Sequence, residues 1–394
     1  MQLLSAATPG QLPPHVRRPG YDRGAIGVGI VNLGISAFHR AHPAVYTEAV
    51  LEACDPRWGI ASVSLRSPAT RDALPPQDGL YTLNQRGTGD DLQGVGRITR
   101  LLVAPEARGA VLDALAAPAT RIVTLTVPEK AYCRDPASGA LDEAHPDVRS
   151  DLANTVFSRS VLELLAAVHP PFAVLCYHPP ANGRTVHGLL IDFARFYDPD
   201  LAAFVTGEVA CPDTMVDRIV PATTDADRDR VGAALGLRDA WPVVAEPFSQ
   251  QVIEDRFPAG RHEWERAGAT MVGEVTPFEA MKLRLLNAAH TGLAYLGYLA
   301  GAHTVAGATA MPELAGFATR LMAAAATLAV PFGTDVANYS RALIDRFHNP
   351  ALGHPTWQIA MDGSQKLPPR ILATITDRLA QGLPIDAPVL VVAG

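Results

Sequence analysis

The sequence contains few cysteines. Only Cys54, Cys133, Cys176 and Cys211 occur among its 394 residues, and no two of them form a C-x-x-C pair. A zinc knuckle or a redox dithiol is therefore not expected, and the sequence predicts no metal site. We interpret the four cysteines as small apolar core residues of a cytoplasmic protein, because the cytosol keeps thiols reduced.

An excess of basic residues is also absent. The formal net charge is -7 at pH 7, whereas nucleic-acid binders usually carry a basic surplus. We therefore expect no nucleic-acid partner.

No apolar run is long enough to cross a membrane. The stretches near 285–302 and 317–332 are interrupted by polar residues such as His290 and Arg320, so no membrane association is expected. The start of the chain has no apolar core of signal-peptide length, and we interpret residues 1–24 as a flexible, proline-rich lead-in.

The composition is that of an ordinary globular protein. With 48% hydrophobic and 19% charged residues, the chain is neither disordered nor of low complexity. At about 150 residues per domain, its length indicates two domains.

The first half of the chain alternates strand-like and helix-like segments. Apolar runs bounded by glycine, proline or polar residues predict strands, and residues 39–54 have helical spacing. The predicted strands lie at 26–33, 59–65, 121–127 and 172–176. Repeated strand–helix units favour an α/β fold in which helices cover a parallel sheet.

The second part of the chain is rich in alanine and leucine. Strand patterns nearly vanish there, and residues 277–301 and 312–330 predict helices. We place the domain boundary at 236–242, which gives a Rossmann-like domain over 25–238 and a mostly α-helical domain over 239–394.

A candidate nucleotide-binding turn follows the first predicted strand. It covers Gly34–Phe38, where a glycine between strand and helix lets the backbone approach a pyrophosphate at the helix N-terminus. Only the first glycine of the usual Gly-x-Gly-x-x-Gly pattern is present, so a purely structural turn remains an alternative.

Polar residues follow this turn and the second predicted strand. His39, Arg40 and His42 fall in a buried helix, where they are costly unless they bind something. The second predicted strand is followed by Arg66, and the acidic residue that usually binds the ribose of NAD at this position is absent. Arg66 could meet the 2′-phosphate of NADP or be solvated, so these residues leave the cofactor open.

The strongest candidate for chemistry is the segment 276–290. It opens with Thr276, Pro277 and Glu279, which is the pattern of a capping box with Thr276 as the N-cap. The segment therefore predicts a well-defined helix start.

Three polar residues share one side of this otherwise apolar helix. At about 100° per residue, Lys282, His290 and Asn287 fall at about 0°, 80° and 140°. Burial lowers the pKa of a lysine, so Lys282 is a candidate general base. Asn287 can donate to a developing alkoxide, and His290 can orient a hydroxyl. The alternative is a helix with a few satisfied polar groups in a domain interface.

Longer stretches with a recognisable pattern cover nearly the whole chain. They read LGISAFHRAH at 33–42, QDGLYTL at 77–83, EKAYCRDPASGALD at 129–142, MVDRIVPATT at 215–224, EPFSQQVIEDRFP at 246–258, MKLRLLNAAHTGLAYLGYLAG at 281–301 and TWQIAMDGSQKLPPR at 356–370. Together they resemble the polyol-specific long-chain dehydrogenase/reductase family, whose members act on mannitol or on hexuronates.

The resemblance implies a Rossmann-like domain followed by a helical domain, with an active site between them that works without metal. The family's catalytic lysine, asparagine and histidine match Lys282, Asn287 and His290. Its substrate-contacting Val-Asp pair matches Val216 and Asp217.

The resemblance also favours NAD as the cofactor, while Arg66 keeps NADP possible. The residues expected to bind the cofactor are Gly34, Ile35, Ser36, Ala37, Phe38, Arg66, Glu129 and Lys130.

The sequence departs from the family pattern at several positions. His178 stands where the family has an asparagine that is its second oxyanion donor, and a neutral imidazole can also donate one hydrogen bond. We therefore retain His178 as a candidate catalytic residue. Ser36 replaces a glycine of the turn, and Gln251 replaces a tryptophan.

The end of the chain is shorter than is usual for the family. Residues 383–394 form an apolar run soon after the Asp-Gly-Ser-x-Lys turn. We expect this run either to dock against the protein or to leave apolar surface exposed, as in a truncated chain or a shorter branch.

Two residues near the C-terminus bear on the substrate. Lys366 matches a family lysine and can pair with a carboxylate, while Gln358 stands where the mannitol branch has an arginine. We therefore expect a monomeric or homodimeric enzyme that transfers a hydride between nicotinamide and a secondary alcohol of an open-chain sugar acid, of the mannonate/fructuronate type. The alternatives are a mannitol-type polyol dehydrogenase and a catalytically silent nucleotide-binding relative.

Overall fold

The computed structural model describes the chain from Met1 to Gly394 except residues 52–54, 88, 136, 154–159, 169–171, 178–180, 328–329 and 332. The chain divides into two units. The first comprises Met1–Gln85, Asp90–Ala245 and Ser249–Gly273, and the second comprises Arg86–Gly89, Glu246–Phe248 and Glu274–Gly394.

In the part of the chain that the structure describes, the strands all begin before residue 273. They are β1 (Val28–Leu33), β2 (Gly59–Ser64), β3 (Tyr81–Arg86), β4 (Asp90–Val95), β5 (Ile98–Val103), β6 (Ile122–Leu125), β7 (Ala173–Cys176), β8 (Thr214–Asp217), β9 (Val243–Ala245), β10 (Gln250–Glu254) and β11 (Thr270–Val272).

The helices occur in both units. Those of the first unit are α1 (Ala37–Ala41), α2 (Pro43–Leu51), α3 (Ala69–Ala73), α4 (Arg108–Ala116), α5 (Pro146–Ala153), α6 (Val161–Ala166), α7 (Asn182–Tyr197), α8 (Pro199–Glu208) and α9 (Asp225–Leu235). Those of the second unit are α10 (Thr276–Met281), α11 (Ala288–Leu299), α12 (Val305–Thr309), α13 (Pro312–Ala326), α14 (Val336–Phe347), α15 (Thr356–Ala360), α16 (Gly363–Leu367), α17 (Ala373–Ala380) and α18 (Asp386–Ala393).

A parallel sheet of five strands forms the centre of the first unit. The strand order is β5-β2-β1-β6-β7, and each neighbouring pair is parallel. β2 and β5 lie on one side of β1, and β6 and β7 lie on the other. This arrangement makes β1 the point at which the winding of the sheet reverses. The predicted α/β fold with a Rossmann-like first domain is confirmed.

The strands of this sheet are apolar because both faces are covered. Val31 and Leu33 belong to one buried cluster with helical residues, and Ile30 belongs to a second cluster on the opposite face. A strand buried on both faces produces a continuous apolar run. The four predicted strands accordingly match β1, β2, β6 and β7 within two residues at each end.

Further strands follow the predicted domain boundary, so the expectation that strands nearly vanish there was wrong. β9 pairs with β3 in the order β4-β3-β9, and β10 joins β8 and β11 in the order β11-β10-β8. β9 and β11 have only three residues each, too few for a two-residue alternation to be recognised. The first unit therefore extends to Gly273 rather than ending at 236–242.

The N-terminal residues are packed against the first unit. Leu4, Leu12 and Val16 are buried in a cluster that includes Leu235, and the Leu4 N–H donates to the carbonyl of Arg238 at 2.9 Å. The segment that was predicted to be a flexible lead-in is therefore packed, because its apolar side chains lie between the prolines and are buried.

Helices make up most of the second unit. α10 and α11 are joined without a break by a π-helical turn, Lys282–Asn287, as expected for the predicted helix at 277–301. α11 approaches α12 closely at Gly297, where an added Cβ would lie 2.6 Å from the Cβ of Ala308. The predicted helix at 312–330 corresponds to α13.

The apolar C-terminal run forms α18, which docks on one side and leaves apolar surface exposed on the other, so both expected alternatives occur. Val391 is fully buried in a cluster with Phe317 and Ile371. Its neighbour Leu390 is 48% exposed, so only one side of this helix is covered by the described residues.

Within the described residues, no helix is both long enough and apolar enough to cross a membrane. Cys133, Cys176 and Cys211 are buried free thiols, as predicted, and Cys54 lies outside the described residues.

Candidate active site

The turn after β1 lies at the carboxyl ends of three strands. The N–H groups of Gly34 and Ile35 both donate to the carbonyl of Val63, at 2.9 and 3.1 Å. The hydroxyl of Thr126 donates to the carbonyl of Gly34 at 2.6 Å. These bonds tie the turn to the ends of β2 and β6, beside the point where the winding reverses, which is where doubly wound sheets bind nucleotides.

A glycine is required at position 34 by the fold itself. Its φ is +98°, and an added Cβ would lie 2.8 Å from Val127 Cγ1 and 2.9 Å from the carbonyl oxygen of Thr126. Ser36, which replaces a family glycine, is the N-cap of α1 and accepts from the N–H of His39 at 3.1 Å. The residues Gly34–Phe38 are all half-buried.

The polar residues of α1 find some partners within the protein, although the buried His39 Nδ1 and Arg40 Nε have no hydrogen-bond partner among the described residues. Arg40 donates to the carbonyl of Trp241 and lies over the ring of Tyr81. His39 Nε2 lies 3.4 Å from the hydroxyl of Ser62. Burial and the nearby Arg40 lower the pKa of His39 to about 3, so its imidazole stays neutral.

The other predicted cofactor residues also follow strands of the same sheet. Arg66 follows β2, is 76% exposed and lies 3.2 Å from Asp147. Lys130 is exposed in a short 3₁₀ helix, Glu129–Tyr132, which follows β6. The side chain of Glu129 lies outside the described residues. The carboxyl ends of parallel strands share one edge of a sheet, so these segments lie at the same edge as Gly34.

His178 follows β7 but lies outside the described residues. Sequence reasoning assigned no role to Asn182, which follows it. The Asn182 amide donates to the carbonyl of Thr214 at 2.7 Å and accepts from its N–H at 2.9 Å. This pair of bonds ties the start of α7 to β8.

Val216 and Asp217 lie in β8 and are buried, with exposures of 5% and 4%. Val216 is paired with Gln251 of the antiparallel strand β10. Gln251, which replaces a family tryptophan, is itself 1% exposed. The predicted substrate-contacting pair therefore belongs to a well-ordered sheet.

The helix that carries Lys282 starts one residue earlier than predicted. Val275 rather than Thr276 is its N-cap, because Thr276 is already the first helical residue; Val275 makes no side-chain cap hydrogen bond. Pro277 lies in the first turn, where its missing N–H costs nothing.

Lys282 and Asn287 lie at the two ends of a π-turn. They are its first and last residues, and the N–H of Ala288 donates to the carbonyl of Leu283, five residues before it. Because i to i+5 hydrogen bonds widen the helix, Asn287 is rotated from Lys282 by less than the about 140° that α-helical spacing predicts. Both side chains are half-buried. π-turns of this kind are frequent at functional sites.

His290 lies in α11 against two aromatic rings. Its imidazole stacks on Phe347 with the ring centroids 5.4 Å apart, and lies 5.2 Å from the ring of His354. Burial, with the nearby His354 and Arg370, lowers the pKa of His290 to about 3. The imidazole is therefore neutral, and its buried Nε2 has no hydrogen-bond partner among the described residues.

Lys366 is held at the end of α15. Its Nζ donates to the carbonyls of Ile359 and Met361, at 3.1 and 2.7 Å, and lies 4.0 Å from Asp362. Burial and the neighbouring Arg370 lower its pKa. Two of its three donors are thus used within the protein.

Gln358 and Lys366 differ in their surroundings. Gln358 is exposed on α15, whereas Lys366 is half-buried beside the turn that begins at Asp362, whose φ is +59°. An added Cβ at Gly363 would lie 2.6 Å from the hydroxyl of Tyr295, so this tyrosine packs closely against the turn.

Sequence reasoning missed Arg370. Its guanidinium donates to the hydroxyl of Thr291 at 3.1 Å, and burial lowers its pKa. Among the described residues no carboxylate forms an ion pair with it. Arg370 follows two prolines in a π-turn, Pro368–Leu372, a pattern that carries no functional signal by itself.

Two family profiles match the chain. The profile of the mannitol dehydrogenase Rossmann domain matches residues 28–266, and that of the mannitol dehydrogenase C-terminal domain matches residues 274–394.

Named relatives and a solved structure agree with these profiles. D-mannonate oxidoreductase of Escherichia coli (strain K12) is 42% identical over 93% of this chain and 79% of its own length. Mannitol 2-dehydrogenase of Pyrenophora tritici-repentis is 37% identical over 96% of this chain and 70% of its own length. The structure of Pseudomonas fluorescens mannitol 2-dehydrogenase in a ternary complex with NAD and D-mannitol matches with a TM-score of 0.92 and 35% identity, over 100% of this chain and 83% of that one.

The sequence similarity covers both domains and includes sequence identity of 42% to a named relative, in addition to the shared fold. The chain is therefore an oxidoreductase of the mannitol dehydrogenase family.

Proposed function

We propose that the protein transfers a hydride between a nicotinamide cofactor and a secondary alcohol of an open-chain sugar acid, of the D-mannonate/D-fructuronate type. The observation that carries the choice of a sugar acid is a pair of half-buried cations near His290, Lys366 and Arg370. Arg370 donates to Thr291, the residue after His290, at 3.1 Å, and both cations contribute to lowering the pKa of this histidine. Partly buried cations favour an anionic ligand, because they lack the solvation that exposed cations receive.

NAD is the cofactor that we propose. A turn at the reversal point of a parallel sheet, with backbone N–H groups and a glycine of positive φ, fits a dinucleotide. The residues that would hold it are Gly34–Phe38, Arg66, Glu129 and Lys130. When bound, NAD supplies the nicotinamide that accepts or returns the hydride.

The residues of the second unit would handle the substrate oxygen. Lys282 takes the proton from the reacting hydroxyl and returns it in the opposite direction. Asn287, one π-turn later, donates a hydrogen bond to the same oxygen while negative charge develops on it. His290, with a neutral imidazole, binds a hydroxyl through its buried Nε2.

Other residues would complete the site. His178 is proposed as a second donor to the reacting oxygen, and Val216 and Asp217 as substrate contacts. Lys366 would bind the carboxylate, with Gln358 beside it on α15. We propose a cytoplasmic setting, because three buried cysteines are free thiols, and either a monomer or a homodimer.

The preference for the sugar acid can be measured through Lys366. We expect kcat/KM for D-mannonate to exceed that for D-mannitol by about tenfold or more, since a charge-assisted hydrogen bond is stronger than a neutral one. Lys366→Met should remove most of this preference. Arg320→Met, which changes an exposed cation of the same unit, should preserve it.

Two outcomes would contradict this assignment. One is equal turnover of mannitol by the wild type, and the other is equal weakening of both substrates by Lys366→Met. Either would favour a mannitol-type polyol dehydrogenase, the second candidate, which is supported by the neighbour solved with D-mannitol.

Cofactor choice can be tested at Arg66. We expect the wild type to bind NADH more tightly than NADPH, and Arg66→Ala to weaken NADPH binding by about tenfold with little effect on NADH. Arg57→Ala removes another exposed arginine that pairs with an aspartate and should change neither affinity. Fluorescence titration measures both, and a strong wild-type preference for NADPH would contradict the proposal of NAD.

A further inference from the structure

The ring of His290 is held by aromatic packing. Its plane is 4° from that of Phe347, at a centroid distance of 5.4 Å, so the two rings are parallel and stacked with an offset. The ring of His354 lies at 5.2 Å and is tilted by 49°. The His290 imidazole therefore has two neighbouring aromatic rings.

Phe347 is firmly fixed, because its neighbour in α14 forms a buried ion pair. The Arg346 guanidinium donates to both carboxylate oxygens of Glu246, at 3.0 and 2.8 Å. The side chains of Arg346 and Glu246 are 9% and 2% exposed. Arg346 also lies 3.9 Å from the centroid of the Phe248 ring. A bidentate pair at such low exposure restrains the last turn of α14.

His354 is fixed by backbone hydrogen bonds. Its carbonyl accepts from the N–H of Val305 at 3.0 Å, and the N–H of Thr356 donates to the carbonyl of His303 at 3.1 Å. These bonds hold the segment before α15 against the segment before α12, so the second ring beside His290 has a defined position.

Stacking is important here because the Nε2 atom of His290 has no hydrogen-bond partner among the described residues. The distribution of the terminal side-chain torsion angle of histidine is broad and roughly two-fold. Without a restraint, the imidazole could therefore turn away from a substrate hydroxyl. A flat neighbour within stacking distance limits that rotation.

We propose that Phe347 is a positioning residue for His290, whose imidazole it holds in the orientation that binds the substrate hydroxyl. The inference rests on the proposed role of His290 in substrate binding. Phe347 does not itself touch the reacting atoms in this scheme; it acts through the imidazole.

A double-mutant cycle tests this proposal. Phe347→Leu should lower kcat/KM for the sugar substrate by about tenfold, while Phe347→Tyr, which keeps the ring, should stay close to the wild type. In a His290→Ala background, Phe347→Leu should cause no further loss, because its effect passes through the imidazole. The affinity for NADH should be unchanged in all of these variants.

Matched variants separate positioning from stability. Phe317→Leu changes a buried phenylalanine of the same unit that belongs to a different cluster; it should lower the melting temperature as Phe347→Leu does, yet keep kcat/KM. Where Phe347→Leu does not fold, Phe347→Met fills more of the volume without a ring and should show the same tenfold loss.

The outcomes distinguish the two proposals. Full activity of folded Phe347→Leu or Phe347→Met, together with a loss in His290→Ala, overturns the positioning role alone. Additive losses in the double variant also overturn it. Full activity of His290→Ala overturns the proposed role of His290, and the positioning role with it.

Discussion

Replacing Lys282 with alanine is expected to lower kcat by about 10²–10⁴-fold, the usual contribution of a general acid or base, and to leave the affinity for NAD(H) nearly intact. Lys282 begins the π-turn that ends at Asn287, so its loss removes the proton acceptor from a group of residues that otherwise stays in place. Steady-state kinetics at saturating substrate and a fluorescence titration with NADH measure the two effects.

Arg284 provides the control for this experiment. It lies in the same π-turn but forms an ion pair with Asp377 at 2.6 Å. Arg284→Ala should therefore cause only a small loss of stability, because partly exposed ion pairs contribute little, with kcat close to the wild type. Full turnover by Lys282→Ala would remove Lys282 from the mechanism.

Replacing Gly34 with valine is expected to weaken NAD(H) binding by about 100-fold, which corresponds to about 2.7 kcal/mol. Two physical effects combine. A β-branched residue is strained at a φ of +98°, and its Cβ would collide with Val127 and with the backbone of Thr126. The valine would therefore distort the whole turn, in addition to occupying space that a diphosphate needs.

A second glycine of the same unit separates local distortion from general destabilisation. Gly79 has a φ of +74°, and an added Cβ would lie 2.3 Å from the carbonyl oxygen of Ile98. Gly79→Ala and Gly34→Ala should both lower the melting temperature, but only Gly34→Ala should weaken NADH binding. An unchanged NADH titration of folded Gly34→Val would show that the turn has a structural role only.

Local patterns in the sequence were sufficient for four of the five strands of the central sheet. β1, β2, β6 and β7 appear as apolar runs because both faces of their sheet are covered. Gly34 was predictable as the residue that ends β1, since a glycine between an apolar run and a helix is typical of a strand–turn–helix unit. These features depend on residues that are close together in the chain.

The predicted domain boundary and the predicted flexible N-terminus were wrong because they depend on contacts between residues that are distant in the chain. β9 is too short to show a pattern and exists because it pairs with β3, more than a hundred residues earlier. Leu4 and Val16 form part of a core only because Leu235 lies beside them. The boundary after Gly273 and the packed N-terminus therefore follow from tertiary contacts.

In the candidate site, too, the sequence identified residues but did not predict their arrangement. Lys282, Asn287 and His290 were identified from the sequence, since a polar group on an apolar helix is conspicuous and the resemblance to a family matched all three. Their relative positions were not predictable, because a π-turn replaces α-helical spacing between Lys282 and Asn287.

The sequence by itself determined four of the five strands of the central sheet and the glycine that follows β1, and it identified the residues that we propose for nucleotide binding and proton transfer. Only the tertiary structure showed that Arg370 lies near His290 without a carboxylate partner among the described residues, and that Phe347 stacks on this histidine. The reason is physical: periodicity and turn preferences act over a few residues, whereas charge, burial and ring stacking depend on segments that folding brings together from distant parts of the chain.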